Sequence, residues 1–391
     1  MVLAASSVIS HNRTINSLAF PLPKRRNIAV NHHQHHSKVY LHSFPRLHDV
    51  YQCSNSKTFN PSCLAKTAVS DVQLHNPNPT TAAAANAWSE FARNVSGEWD
   101  GFGADFSIEG SPIELPESVV PEAYRDWEVK VYDWQTQCPT LAEPGEKVMT
   151  YKTIKLLPTV GCEADAATRY SMDERNIVGV DNKVSAFAYQ ASGCYTAIWP
   201  VADNGTHELW ELEHCLINPR DKESRVRIIQ VVRVDGTKLV LQNIRVFCEQ
   251  WYGPFRNGDQ LGGCAIRDSA FAPTATTKAS DIIGEWQGPN AVATFDGSGD
   301  IFLQELKDNG SLKSIRDESN LILLPKQLWC AIKESGGETC SEVGWLFDQG
   351  CAITSRCSFS SEGKLKASFL LHEVSVARET TVSEDVYHQM I

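Results

Sequence analysis

The sequence predicts an all-β protein folded as two antiparallel β-barrels with few short helices. Three observations carry that expectation. Apolar and polar residues alternate over many short runs, which is the two-residue period of half-buried strands. No helical pattern alternates with those runs, as a parallel sheet with crossover helices would require. One opening also occurs twice: Gly-Glu-Trp-x-Gly stands at 97–101 and again at 284–288, 187 positions further on. Period alone does not separate a barrel from a sandwich; closure is favoured because it removes exposed sheet edges.

Residues 1–70 precede the patterned part and differ from it. They hold eight Lys or Arg against one acid, Asp49, with Ser, Asn and His scattered throughout and no compact apolar stretch. Such a composition is expected of an organelle transit peptide, here chloroplast rather than secretory, that is removed to leave a stromal protein. Its removal takes the formal net charge from −11 to −18. An acidic chain without clustered Lys and Arg is a poor partner for nucleic acid and a better one for basic protein surfaces. No run approaches the ~20 apolar residues of a spanning helix, so no membrane span is expected.

Along the rest of the chain, Trp88, Phe91, Ala92 and Val95 fall on one helical face and predict a short amphipathic helix leading into the first motif. A larger barrel is expected over 86–268. Within it, Asp126 to Trp134 (DWEVKVYDW) alternates Trp127, Val129 and Val131 and reads as a strand, as do Lys183–Tyr189 and Cys194–Trp199. The clearest hairpin is RVRIIQVVRV, Asp235-Gly236, TKLVLQNIRVF, because Asp-Gly supplies the positive φ of a tight turn. Ser269–Ser280 is small, polar and Pro-interrupted, so 269–280 reads as a linker. A smaller barrel is expected over 281–391, with Glu362-Gly363 standing where Asp235-Gly236 stood. Trp99 lies 137 residues before Gly236 and Trp286 lies 77 before Gly363, so the second copy is shorter by about 60 residues.

The best enzyme-like constellation is HELWELEHC, His207 to Cys215. On a helix, His207, Glu211 and His214 would share a face and could ligate zinc; on a strand, His207 and His214 point to opposite faces, and the all-β pattern favours the strand. The adjacent pair His214 and Cys215 is separated by the same rule, which argues against a thiolate nucleophile with its base. No phosphate-cradling GxGxxG or GxxxxGK[ST] occurs. The glycines of Tyr252–Cys264 read as turns. Acid pairs such as Glu163 with Asp165 carry no catalytic signal without an environment that separates their pKa values. The cysteines read as free thiols, with Cys351 and Cys357 as one conceivable redox pair. Trp127, Trp134, Trp199, Trp210 and Trp251 either fill the core, the favoured reading, or line a small-ligand cavity.

Gly-x-Trp on a first strand, after a short helix or turn, is similar to the opening of the calycin superfamily, which includes the lipocalins. In those barrels the tryptophan closes one end of the core beneath a basic side chain from the last strand. The resemblance implies that structural role for Gly97, Trp99, Gly284 and Trp286. It makes Arg245, nine residues after its turn glycine, a candidate cover of the first tryptophan; the equivalent place in the second copy holds His372, a departure from the lipocalin pattern. The longer string WSEFARNVSGEWDGFGADFSIEGSPIELPESVVPE (Trp88–Glu122), with DWQTQCPT at Asp133–Thr140 and GEWQGPNAVATFDGSGD, resembles a cyanobacterial and plastid family of calycin-like proteins known mainly as a domain of unknown function. That resemblance spans residues 86–380, and a plastid branch of the family serves biogenesis of the chloroplast ATP synthase. It implies a non-catalytic assembly factor, without cofactor or metal, that binds the β and γ subunits of the enzyme's catalytic head. The alternatives are a carrier of a small apolar ligand (lipid, pigment or bilin) and a metal-dependent enzyme using His207, Glu211 and His214.

Overall fold

A computed structural model describes residues 79–160, 168–178, 183–201, 208–235, 238–259, 270–295 and 302–376, all within one compact unit, Gln73–Ile391; of 79–86 it describes the backbone alone. The expected transit segment, His207, Glu163 with Asp165, and the Gly236 turn residue lie outside the described residues. The first helix, α1 (Pro79–Val95), turns Trp88, Phe91, Ala92 and Val95 inward as its periodicity requires. Burying each of its two large aromatics contributes about 1.5–3 kcal/mol. Among the described residues no helix is long and apolar enough to cross a membrane.

The chain then builds β1 (Trp99–Phe106), α2 (Glu122–Asp126), β2 (Asp133–Gln137), β3 (Thr140–Ala142), β4 (Met149–Leu156), β5 (Arg169–Ile177), β6 (Ala186–Tyr189), β7 (Tyr195–Val201), β8 (Glu208–Ile217), β9 (Ser224–Asp235) and β10 (Lys238–Trp251). After α3 (Ala279–Ile282) come β11 (Gly284–Thr294), β12 (Leu303–Glu305), β13 (Lys307–Arg316), β14 (Leu321–Leu324), β15 (Leu328–Ser335), β16 (Glu338–Asp348), β17 (Cys351–Phe359) and β18 (Leu365–Ser375). The fold is all-β, as the alternation predicts. The first sheet is a curled half-barrel running β12-β6-β7-β8-β9-β10-β1-β2-β4-β3, with β5 also on β4; the second runs β13-β11-β18-β17-β16-β15-β14. Among the described residues the ends of neither sheet pair with each other. The expected hairpin is present as β9–β10, with Asp235 opposite Lys238.

Two expectations need correction. The 126–134 run is not a strand: Pro121 opens a single helical turn, Glu128 takes a φ of 55°, and extended pairing begins only at Asp133. Trp127 is consequently 63% exposed, so neither core filling nor a cavity wall describes it. The described part of the expected linker, 270–280, is held at two points. The Asp133 carboxylate accepts the backbone N–H of Phe271 and Ala272 at 2.9 and 3.0 Å, and the Thr277 hydroxyl donates to the Leu324 and Leu328 carbonyls at 2.8 and 3.0 Å. Finally, β12 leaves its own half and pairs with β6, Leu303 opposite Phe187, in a parallel arrangement that an antiparallel repeat does not foretell.

The two sheets pack with the backs of β7–β9 against β15–β17. Ile198, Leu212, Val232, Cys357 and Phe359 form an apolar patch there. Beside it runs a buried polar seam: Thr196 and Ser355 hydroxyls at 3.0 Å, His214 Nδ1 and Ser355 Oγ at 2.8 Å, and Gln230 Nε2 donating to the Ala331 carbonyl at 3.3 Å. Buried groups are tolerated when they find such partners. Each sheet therefore keeps its other, concave face for itself.

Candidate functional site

Strand alternation sends Arg225, Arg227, Glu211, Glu213, Glu249, Tyr195 and Trp199 into the concavity of the first sheet, because paired residues share a face. These side chains satisfy one another. Glu213, fully buried, accepts the Tyr195 hydroxyl at 3.0 Å, the Trp199 indole at 2.9 Å, Arg227 at 3.1 Å and the Tyr151 hydroxyl. Glu249 accepts Arg225 Nε at 2.6 Å and Arg227 Nη2 at 2.9 Å. Burial pushes both carboxyls up, but the flanking arginines outweigh it and hold them below the usual carboxylate range. The Tyr151 and Tyr195 hydroxyls are driven well up, by burial first and by Glu213 next. Toward the rim, Glu211 joins Arg175 and Arg245, the latter at 2.7 Å.

The second concavity repeats the chemistry with fewer charges. Arg316 donates to Glu342 at 2.6 Å and to Glu373; Trp329 Nε1 reaches Glu342 at 3.1 Å, Arg356 reaches it at 2.6 Å, and Thr354 reaches Glu373 at 2.7 Å. Burial acts against the Glu342 charge, yet Arg356 and Arg316 draw its pKa down to about 2.

The repeated motif organises both interiors. Trp99 Nε1 donates to the Val95 carbonyl at 2.9 Å and Trp286 Nε1 to the Ile282 carbonyl at 2.8 Å, each four residues back. Gly97 and Gly284 have φ of 145° and 143°, a conformation glycine adopts readily. The fifth residue of each motif touches backbone: a Cβ on Gly101 would meet the Cys248 carbonyl oxygen at 1.9 Å, and one on Gly288 the His372 oxygen at 1.8 Å. Glu249 and Glu373 each follow the residue so approached.

The basic covers are not the expected ones. Arg225, on β9, lies 4.3 Å from the Trp99 ring, whereas Arg316, on β13, lies 5.4 Å from Trp286. Arg245 instead bridges Glu211 and Asp105 at the rim. His372 lines a small pocket of about 300 Å³ with Glu90, Asn94 and Lys222. Arg225 reaches its tryptophan from two strands away, across β10, and Arg316 from the adjacent strand β13, so the duplication preserves the ion pair and not its strand of origin.

No family model matches the chain, and no curated protein matches it. Among solved structures, it is similar to a protein of unknown function from the DUF3598 family of Nostoc punctiforme PCC 73102, at 13% identity and a TM-score of 0.44, over 74% of this chain and 99% of that one.

The proposed metal set is taken apart by the strand. Glu211 lies in the concavity and His214 in the seam behind it, on opposite faces of β8, while His207 lies outside the described residues. Among the described residues no three His, Cys, Asp or Glu side chains are grouped to hold a metal ion. Cys215 likewise faces away from His214, and burial drives its pKa well up. Cys351 and Cys357 lie six residues apart along β17, about 20 Å at 3.3 Å per residue, far beyond disulfide reach. A half-open cleft of about 720 Å³ next to Trp286 is lined by Asp281, Glu285, Gln327 and Asp348. The residues that the motif search missed are the arginines and glutamates of the two interiors. Their signal was present in β9, where Arg225 and Arg227 alternate with Val226 and Ile228 inside an otherwise apolar run.

Proposed function

We propose that this chain is a non-catalytic protein-binding factor of the chloroplast stroma, akin to the plant biogenesis factor required for chloroplast ATP synthase, and that it holds the β and γ head subunits during assembly. One observation carries the protein-binding part: in the first half-barrel the centre of the concavity, where a calycin would hold an apolar ligand, is taken up by Glu213, Glu249, Arg225 and Arg227 bonded to one another. Opening that network for a lipid or pigment would strand buried charges, at about 3–5 kcal/mol for each pair broken. Recognition therefore falls to the outer surface, where Trp127 and Tyr170 stand more than half exposed. The partner identity is supported by the sequence strings at Trp88–Glu122 and Asp133–Thr140 and by the acidic balance of the chain beyond residue 70. A curled half-barrel and a second sheet fastened along a polar seam would present two surfaces at a fixed spacing, which raises the effective concentration of two bound subunits for each other.

Affinity purification of the tagged chain from chloroplast stroma tests the reading. Recovery of the β and γ subunits, weakening with added salt, is expected. Recovery of neither overturns the ATP synthase assignment, and a stoichiometric lipid or pigment in the purified protein overturns the filled-interior argument.

A further inference from the structure

The edge strand β5 is unlike the rest of the first sheet. Among the described residues it pairs only with β4, and six consecutive residues, Arg169 to Glu174, are exposed. An open edge of this kind offers a row of backbone donors and acceptors that natural proteins usually cover or blunt. Two large apolar side chains stand along it: Tyr170 is 51% exposed and Met172 46%. A register shift opposite Lys155 and Leu156 leaves Tyr170 without a direct partner on β4, and its ring stacks on Trp134 at 4.8 Å, while Lys155 lies 5.3 Å from the Trp134 ring. Tyr170 is thus an exposed aromatic already held in place, which lowers the entropy lost on binding.

The α2 segment lies beside the same hairpin, because the Tyr124 hydroxyl donates to the Thr159 carbonyl at 2.9 Å, just beyond the end of β4. It adds Trp127, 63% exposed, and Val129, 46% exposed. Its charge is one-sided: between Glu114 and Lys130 five carboxylates stand against Arg125 and Lys130 alone, and Lys130 is paired with Glu114 at 3.3 Å. Apolar anchors, a bare strand edge and a surplus of negative charge are brought together here.

We propose that the β5 edge and the acidic α2 segment form one docking surface, which takes an extended, lysine- or arginine-bearing segment of a partner protein as an added antiparallel strand. Backbone pairing supplies the register, Tyr170, Met172 and Trp127 supply pockets and anchors for alternate apolar side chains, and the carboxylates select the basic ones. The inference rests on the reading of the chain as a protein-binding factor but not on which protein it binds.

The test uses the full chain and a synthetic peptide, acetyl-Lys-Val-Lys-Val-Thr-Val-Lys-Val-amide, with two controls: glutamate in place of every lysine, and proline in place of threonine. Fluorescence anisotropy should show the lysine peptide binding at least tenfold more tightly than either control. Amide hydrogen exchange over Arg169–Ile177 should slow at least tenfold in its presence. Met172→Lys and Trp127→Ala, both at exposed positions, should each weaken binding at least fivefold, and Ile315→Lys on the second sheet should leave it unchanged. Equal binding of the controls, no binding, or protection mapped elsewhere overturns the proposal. So does dimerisation of the chain that Met172→Lys abolishes, since β5 would then serve a second copy. Peptide binding as expected, with no ATP synthase subunit recovered from stroma, would remove the assembly assignment and leave the docking surface standing.

Discussion

The guanidinium of Arg225 lies 4.3 Å from the ring of Trp99 and donates to Glu249 at 2.6 Å, so one side chain caps the first motif and anchors the buried ion network. Arg225→Met should lower unfolding free energy by about 3–5 kcal/mol, because it leaves Glu249 to a single arginine in a dry interior. Arg225→Lys should lose less, keeping the charge but not the fork. Arg245→Met, at the position that the calycin resemblance implied, should lose about 1 kcal/mol, since Arg245 is a third exposed. Urea unfolding followed by tryptophan fluorescence separates the three.

The second copy makes the same demand with different strands. Glu373→Gln should destabilise by a similar few kcal/mol, and the pair Arg316→Met with Glu373→Gln should fall short of the sum of the singles by at least ~1 kcal/mol, as coupled partners do. Exact additivity of the two, measured by the same urea titration, would mean that the pair seen here does not act as one.

Acid should unfold the protein in two stages. Burial holds His214, between Ser341 and Ser355 of the second sheet, down to a pKa of about 3, against an ordinary 6.5. The unfolded chain therefore takes up that proton first, so stability is full above pH 6.5 and falls toward pH 3 by about 1.4 kcal/mol per pH unit for this one group. Glu342, depressed to about 2 from 4.5, adds a second loss as pH falls between those values. His214→Gln should flatten the upper stage and leave the lower one, which a series of urea midpoints from pH 7.5 to 3 would read.

Gly101→Ala and Gly288→Ala should each prevent folding or shift the melting temperature down by more than ~10 °C, because the added methyl overlaps a carbonyl oxygen of the neighbouring strand and neither backbone can move alone. Gly145→Ala, where a methyl would meet nothing within 4 Å, is the matched control. Thermal melts by circular dichroism decide it.

Much of the fold was legible because it is local. The spacing of Trp88, Phe91, Ala92 and Val95 marks α1, the alternation of Arg225 to Val234 marks β9, and the twin Gly-Glu-Trp marks two starts. The misreading at Trp127 has an equally local cause: Trp127, Val129 and Val131 alternate as a strand would, but the helical turn set off by Pro121 and the left-handed Glu128 divert the chain before pairing begins. The covers of Trp99 and Trp286 were not legible, since which arginine reaches a ring depends on the register of flanking strands. Strand parity did place His214 and Cys215 on opposite faces, yet nothing in β8 itself says that one face meets a second sheet.

The parallel pairing of Leu303–Glu305 with Phe187–Tyr189 also sets a timetable. As the chain emerges N-terminus first, whether from a ribosome or from an import pore, β10 ends at Trp251, yet the edge of β6 stays bare until Glu305 has followed, more than fifty residues later. In that interval an incomplete first sheet must avoid pairing with anything else. A fragment ending at the 269–280 segment would remain in that condition permanently, so the two halves, for all their likeness, are made to be finished together.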